Sequence, residues 1–145
     1  MVLGAALGAL PAFAWYSAAV PAGRVAASGF AGAGELWLLP VLGALAVLAG
    51  AAMVSARPEE ATTTARWSGA LALAAGAFGL VWALRAGLDP RVALVVVQPD
   101  GGQEVPAPVD LEPAAVITPI VAGAIAAVGA ALAWRGWGPV RRAGR

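Results

Sequence analysis

Residues 36–56, LWLLPVLGALAVLAGAAMVSA, run for 21 positions without a charge between Glu35 and Arg57. At about 1.5 Å per residue, a helix of this length crosses a hydrocarbon core of roughly 30 Å. A stretch of that kind restricts the chain to few architectures, because buried backbone in lipid must satisfy its own hydrogen bonds. The rest of the sequence agrees with a membrane setting. Its hydrophobic fraction is 61% and its charged fraction 12%, against about 45–50% and 25% in soluble domains, and the mean hydropathy is +0.82. The charges cluster between apolar runs instead of decorating one face of each.

Composition also excludes chemistry. The chain has no Cys and no His, so thiol redox, disulfides, structural zinc and imidazole acid–base catalysis have no residues to carry them. Haem would depend on Met1, Met53 or Tyr16, and no cofactor is expected. A net charge of +1 gives no reason to invoke nucleic acid.

Three further apolar runs flank the first. Residues 1–20 read as a retained helix, with Trp15 and Tyr16 as an interfacial aromatic anchor. The alternative is a signal peptide, since Ala12-Phe13-Ala14 resembles a cleavage site although no basic segment precedes the run. Residues 67–84 read as a third helix with Trp67 and Trp82 near its ends. Residues 114–134 read as a fourth, with Trp134 at its end and Trp137 beyond. Trp37 opens the helix over 36–56, and Pro40 falls in its first turn or two, where a missing N–H costs little.

Small residues recur within these runs. Gly69, Ala72, Gly76 and Gly79 in the third, and Ala122, Ala126 and Ala130 beside Gly123 in the fourth, are spaced for close approach of a neighbouring helix.

Outside the spans, residues 21–35 form a small-residue loop with a possible strand near Val25, and residues 57–66 form a short connector. The longest polar segment, 85–113, predicts a β-hairpin. Residues 92–97 are largely β-branched, 99–102 signal a turn, and 104–111 return as an edge strand containing Pro106 and Pro108. Asp110 and Glu112 alternate there and share one face. They are either a solvated surface or a candidate external partner surface for a cation or a basic partner.

The positive-inside rule places Arg57, Arg66, Arg135, Arg141, Arg142 and Arg145 in the cytoplasm, six of the nine basic residues. The C-terminus is then cytoplasmic, and the hairpin segment faces outward. The basic tail with Trp134 and Trp137 suits an interface with anionic headgroups. None of the four spans holds an Asp, Glu, Lys, Arg or His, the usual markers of ion pathways and proton relays.

Ala14-Trp15-Tyr16-Ser17, the small-residue loop, Gly34-Glu35-Leu36-Trp37-Leu38-Leu39-Pro40 and the Leu/Ala helix that follows resemble small four-helix membrane proteins of actinobacteria. Among them is the tryptophan-operon-associated membrane protein family. The likeness is best over the first two helices and implies membrane location, with no catalytic residues to carry over. In shape the arrangement is also similar to claudins, which have four helices and an external sheet, but the cysteine pair of that family is absent here.

The sequence thus predicts an all-α membrane protein, a bundle of four transmembrane helices over about 1–20, 36–56, 67–84 and 114–134. Segments 21–35 and 85–113 are extracytoplasmic, with a small β-hairpin between helices 3 and 4, and 57–66 and 135–145 are cytoplasmic. The expected role is a non-enzymatic accessory or scaffolding subunit in the cell membrane. Its partners would be the lipid bilayer and other membrane proteins or further copies of itself. The alternative is a subunit of an oligomeric transporter or channel. A membrane enzyme using Asp110 and Glu112 is a third, weaker expectation.

Overall fold

Uninterrupted Leu, Ala, Val and Gly runs favour helices that bury their backbone bonds internally, and helices dominate the molecule. The computed structural model describes residues 1–20, 23–32, 34–88, 95–96, 105–106 and 109–137. In chain order, α1 (Val2–Ala9) continues as a 3₁₀ turn (Leu10–Ala12) into β1 (Ala14–Val20) and β2 (Gly23–Ser28). A single-turn α2 (Gly29–Gly32) and a 3₁₀ turn (Gly34–Trp37) lead to α3 (Leu38–Ser55) and then α4 (Ala61–Leu88). The short strands β3 (Val95–Val96), β4 (Val105–Pro106) and β5 (Asp110–Leu111) precede α5 (Pro113–Trp137).

Among the described residues, three helices are long and apolar enough to cross a membrane: α3 with 18 residues, α4 with 28 and α5 with 25. Pro40 sits in the first turn of α3, and Pro113 opens α5, both where the absent N–H has no intrahelical partner to lose. Pro119 lies inside α5. One residue before it, Thr118 is fully buried and donates its hydroxyl to the Ala114 carbonyl at 2.7 Å.

The helices lie against one another by backbone. A Cβ added at Gly43 would come 2.7 Å from the Gly8 nitrogen, and one at Gly4 would come 2.7 Å from the Gly43 carbonyl oxygen. The neighbour of Gly8 is Pro40, and a Cβ at Gly50 would meet Met1, so α1 runs antiparallel to α3. Between α4 and α5 the approach is as close. A Cβ at Gly76 would lie 2.7 Å from the Ala122 oxygen, one at Gly69 2.9 Å from the Gly129 oxygen, and one at Gly129 2.8 Å from the Gly69 oxygen. No side chain larger than hydrogen fits at these points.

The small-residue face of α4 is as expected: Gly69, Ala72, Gly76 and Gly79 are all buried. That of α5 differs. Ala122 is buried and Ala126 touches Gly76, but Ala130 is exposed and nothing lies within 4 Å of a Cβ at Gly123. The seam runs instead through Ala122, Ala126, Gly129, Ala133 and Gly136. Steps of four and three follow the 3.6-residue turn of the helix, whereas a strict four-residue repeat drifts off the contact line.

The first apolar run is a correction to the expected span over 1–20. Helical structure stops at Ala12, and Ala14–Val20 is a strand. It forms the centre of a three-stranded antiparallel sheet, order β2-β1-β5, whose two outer strands come from distant parts of the sequence. Nonlocal pairing with residues 110–111 is a tertiary effect that overrides local apolar character. The fold is therefore mostly helical with a small antiparallel sheet, and not all-α. The expected hairpin is present in part, as Val95 opposite Pro106 and Val96 opposite Val105. Its predicted turn at 99–102, together with Asp89, Arg91, Asp100, Glu104 and the tail 138–145, lies outside the described residues. The predicted connector is shorter than 57–66, because α4 already begins at Ala61.

Candidate functional site

One cluster of polar groups lies where the sheet meets the helix ends. β1 carries a register irregularity between Ala14 and Tyr16. A bulge re-aims side chains that would otherwise alternate, and here both Trp15 and Tyr16 are completely buried. Their rings are 6.2 Å apart at an interplanar angle of 53°. Each polar tip has a partner: the Trp15 indole N–H donates to the Leu10 carbonyl at 2.9 Å, and the Tyr16 hydroxyl donates to the Ala86 carbonyl at 3.1 Å. Ala86 belongs to the last turn of α4, so Tyr16 ties the sheet to a carbonyl left over at a helix end. Burial raises the pKa of the Tyr16 phenol above its ordinary value.

These two aromatic residues were expected at a lipid interface. The structure corrects that: they are the largest buried side chains of the sheet layer and reach no outer surface. Trp37, Trp67, Trp134 and Trp137 are exposed, and Trp82 is half-buried. Two of these rings receive arginines, Arg85 over Trp82 at 5.4 Å and Arg66 over Trp137 at 5.8 Å. Arg66 also donates its Nε–H to the Gly136 carbonyl, so a cation from the start of α4 meets the negative end of α5.

On the outward side of the sheet, Ser17 pairs with Asp110 across β1 and β5 and with Ala26 across β1 and β2. Arg24 lies over this face. Its Nε–H donates to the Ser17 hydroxyl at 3.0 Å, and its guanidinium is 3.2 Å from the Asp110 carboxylate and 3.5 Å from that of Glu112. Asp110 and Glu112 do share a face, as their alternation implied, and the basic group they face belongs to the same chain. Arg24, separated from Asp110 by 86 positions, carried no sequence signal beyond being the one basic residue of its loop. The pairing continues past β5, since the Glu112 N–H donates to the Trp15 carbonyl at 2.8 Å.

Beside this cluster an open hollow of about 370 Å³ lies between the end of the first helix and the start of α5, lined by Leu10, Phe13, Ala14, Glu112, Pro113 and Ile117. A smaller cleft of about 80 Å³ lies where α1, α3, α4 and α5 meet, with Gly4, Ala46, Ala49, Ser68, Ile125 and Val128 among its walls. Among the described residues no group of three or more Asp, Glu, Cys or His side chains is placed to hold a metal ion.

No family model, no curated protein and no solved structure matches this chain. The arrangement itself defines a helical protein with three helices fit to span a membrane and a small sheet across one end of them.

Proposed function

We propose that the protein is a non-enzymatic, multi-pass component of the cell membrane that acts as an accessory or scaffolding subunit of a larger assembly. Its four helices form the bundle, its sheet faces outward, and its C-terminal end is cytoplasmic. The observation that carries this reading is the inverted distribution of side-chain size. Glycines 69, 76 and 129 fill the interior, while Leu48, Val54, Phe78, Val81 and Ile120 are each more than 60% exposed. Large apolar groups outside and small ones between helices suit a lipid solvent, where close backbone packing replaces the hydrophobic effect as the force between helices.

The first of the four, residues Val2–Ala12, is the shortest. It covers about 16 Å, half of the hydrocarbon thickness. Leu7 is fully buried against the rest of the bundle, which favours a retained helix over a cleaved one. Arg24 and Arg85 lie at the sheet end and Arg57, Arg66 and Arg135 at the other, in keeping with a cytoplasmic C-terminus.

Alkaline carbonate washing tests membrane integration: the protein stays in the pellet, and release into the wash overturns the reading. Purification from native membranes tests the scaffolding role, with a stoichiometric partner expected. The second reading, a subunit of an oligomeric transporter or channel, takes support from the apolar outer surface of α5 around Gly123, which could meet further copies. Solute flux through proteoliposomes containing this chain alone favours that reading over the first.

A further inference from the structure

Among the described residues, the sheet has one long edge without a neighbouring strand. β1 is flanked by β2 and β5, and β5 presents only Asp110 and Leu111, whereas β2 runs from Gly23 to Ser28. The direction of the backbone groups along β2 follows from the pairing. The Glu112 N–H donates to the Trp15 carbonyl and Ser17 is paired with Asp110, so the odd-numbered residues of β1 address β5. Alternation then turns the backbone groups of Ala18 toward Val25, its partner on β2. Those of Arg24 and Ala26 point away from the sheet, and among the described residues no backbone bond outside the ladder uses them. Arg24, Val25 and Ala26 are all exposed.

Such an edge is a template for another strand unless charge, proline or a bulge blocks it. β2 contains no Pro, and the extra residue at the register irregularity belongs to β1. The one charge on β2 is drawn off the edge, since the Arg24 guanidinium reaches back across β1 to Ser17 and Asp110. On the opposite face Val25 is 44% exposed, so the helices do not fill the space beneath this edge.

We propose that β2 pairs antiparallel with β2 of a second copy of this chain, with Ala26 opposite its own counterpart. Arg24 then opposes Ser28, and Val25 opposes Ala27. Charge selects this register: each guanidinium faces a hydroxyl, whereas a register centred on Arg24 would set two like charges against each other. Symmetry selects a second copy. The two-fold axis of an antiparallel strand pair runs perpendicular to the sheet. One face of the sheet meets the helix ends through Tyr16 and Ala86, and the other carries Arg24 and Asp110, so this axis runs roughly along the helices. Two copies in one bilayer are related by an axis of that direction, with both sheets on the same side. The pairing goes beyond the role proposed above, and only the direction of its axis uses the membrane reading.

Cysteine cross-linking tests the pairing, in a full-length chain that has no native Cys. In membranes isolated from the producing cells, oxidation joins two copies of Ala26→Cys, because Cα atoms of a hydrogen-bonded antiparallel pair lie about 5.5 Å apart, within disulfide reach. Ala19→Cys is the control. It is exposed on β1 opposite Arg24, and at least three strand spacings, about 14 Å, separate it from its counterpart. That distance is well beyond disulfide reach, so the yield at Ala26→Cys should exceed the control roughly tenfold. Co-isolation of two differently tagged copies is lost in Ala26→Pro, while amide protection of Tyr16 and Ala18 is kept, since the deleted N–H faces away from β1. Ala26→Glu in both copies also abolishes co-isolation, and Ala26→Glu in one with Ala26→Lys in the other restores it. Should Ala26→Pro disturb β1, the charge pair decides.

Equal yields at Ala26→Cys and Ala19→Cys overturn the proposal, as does absence of co-isolation in the wild type. Co-isolation that survives Ala26→Pro, or Ala26→Glu in both copies, overturns it by placing the contact elsewhere. Cross-linking of Ala26→Cys chiefly to a different protein overturns it as well, because a strand of that protein then occupies the edge. Carbonate release of the chain would remove the membrane reading and leave the strand pairing to these results.

Discussion

Gly76 and Trp15 sit at fully packed points of two regions, one between α4 and α5, the other in the sheet layer. At the first the side chain is missing, and at the second it is the largest of the fully buried side chains. The helix pair is closed by removing atoms so that backbones touch, and the sheet is closed by inserting aromatic rings whose N–H and O–H each find a carbonyl. Both devices give dense packing. On the membrane reading the difference follows from surroundings: apolar burial drives packing against water, whereas between helices in lipid only close van der Waals contact and hydrogen bonding are left. The sheet should therefore fail when a residue is made smaller, and the bundle when one is made larger.

Trp15→Ala should have the largest effect. Truncating a buried aromatic side chain costs about 3–5 kcal/mol, and here the Leu10 carbonyl also loses its donor. Amide hydrogen exchange should show β1 and β2 losing protection while α4 and α5 keep theirs. Uniform loss across both regions would mean that the sheet and the bundle unfold as one unit.

Gly76→Leu should come next, by the opposite route. Its first carbon would meet the Ala122 carbonyl oxygen and the Ala126 backbone, and backbone cannot step aside as a flexible side chain does. Overpacking typically costs about 1–3 kcal/mol, with the higher end expected at this contact. Gly123→Leu is the control on the same helix pair: its surroundings are open, so stability should move by less than about 0.5 kcal/mol beyond the change in helix propensity. Titration with a denaturing detergent, followed by circular dichroism, compares the two. Similar curves for both variants would break the distinction between the buried seam and the outer face of α5.

How much of this was legible in the sequence depends on whether the cause is local. The helices over 38–55 and 113–137 were readable because an uncharged apolar run of that length has few other solutions. The extension of α4 back to Ala61 was not, because Thr62-Thr63-Thr64 and Arg66 look like connector until Arg66 is seen bonded to Gly136, 70 positions away. β1 was read as helix because Ala14–Val20 is apolar without alternation, and a strand covered on both faces shows no period of two. Trp15 and Tyr16 at the end of an apolar run looked like an interfacial pair. Only the bulge and the nonlocal pairing with Asp110 and Leu111 turn both of them inward. The glycines were visible, but which turn of α5 they would meet depends on how two helices cross.

Tyr16→Phe sharpens the comparison by separating the polar tip from the ring. It keeps the buried aromatic volume and removes only the bond to Ala86, for a loss of about 1 kcal/mol. It should also change the alkaline behaviour. A phenol whose folded pKa is raised binds its proton more tightly in the folded state, so its contribution is complete below the unfolded pKa of about 10 and is lost as pH rises through the folded value. Wild-type sheet stability should decline above about pH 10, and the part of that decline due to Tyr16 should be absent in Tyr16→Phe. Parallel pH curves for the two proteins would assign the alkaline loss to other groups.

The smallest effect is expected at Arg24, the most exposed of the sheet's ties. Its side chain is 62% exposed and that of Asp110 72%, conditions in which an ion pair contributes only about 0.2–1 kcal/mol and is screened by salt. One feature works against that low value: Arg24 also donates to Ser17, which is completely buried. Arg24→Ala would therefore cost a screened charge interaction together with an unscreened hydrogen bond, and ionic strength separates them. If the charges dominate, the gap between wild type and Arg24→Ala closes as salt rises toward 1 M, where the screening length is about 3 Å. If the bond to Ser17 dominates, the gap stays constant with salt, and Ser17→Ala closes it. The second outcome would make the sheet's outer face resemble its inner one, each held by a polar tip anchored on a buried acceptor, and would narrow the contrast with the bundle to the glycine seam alone.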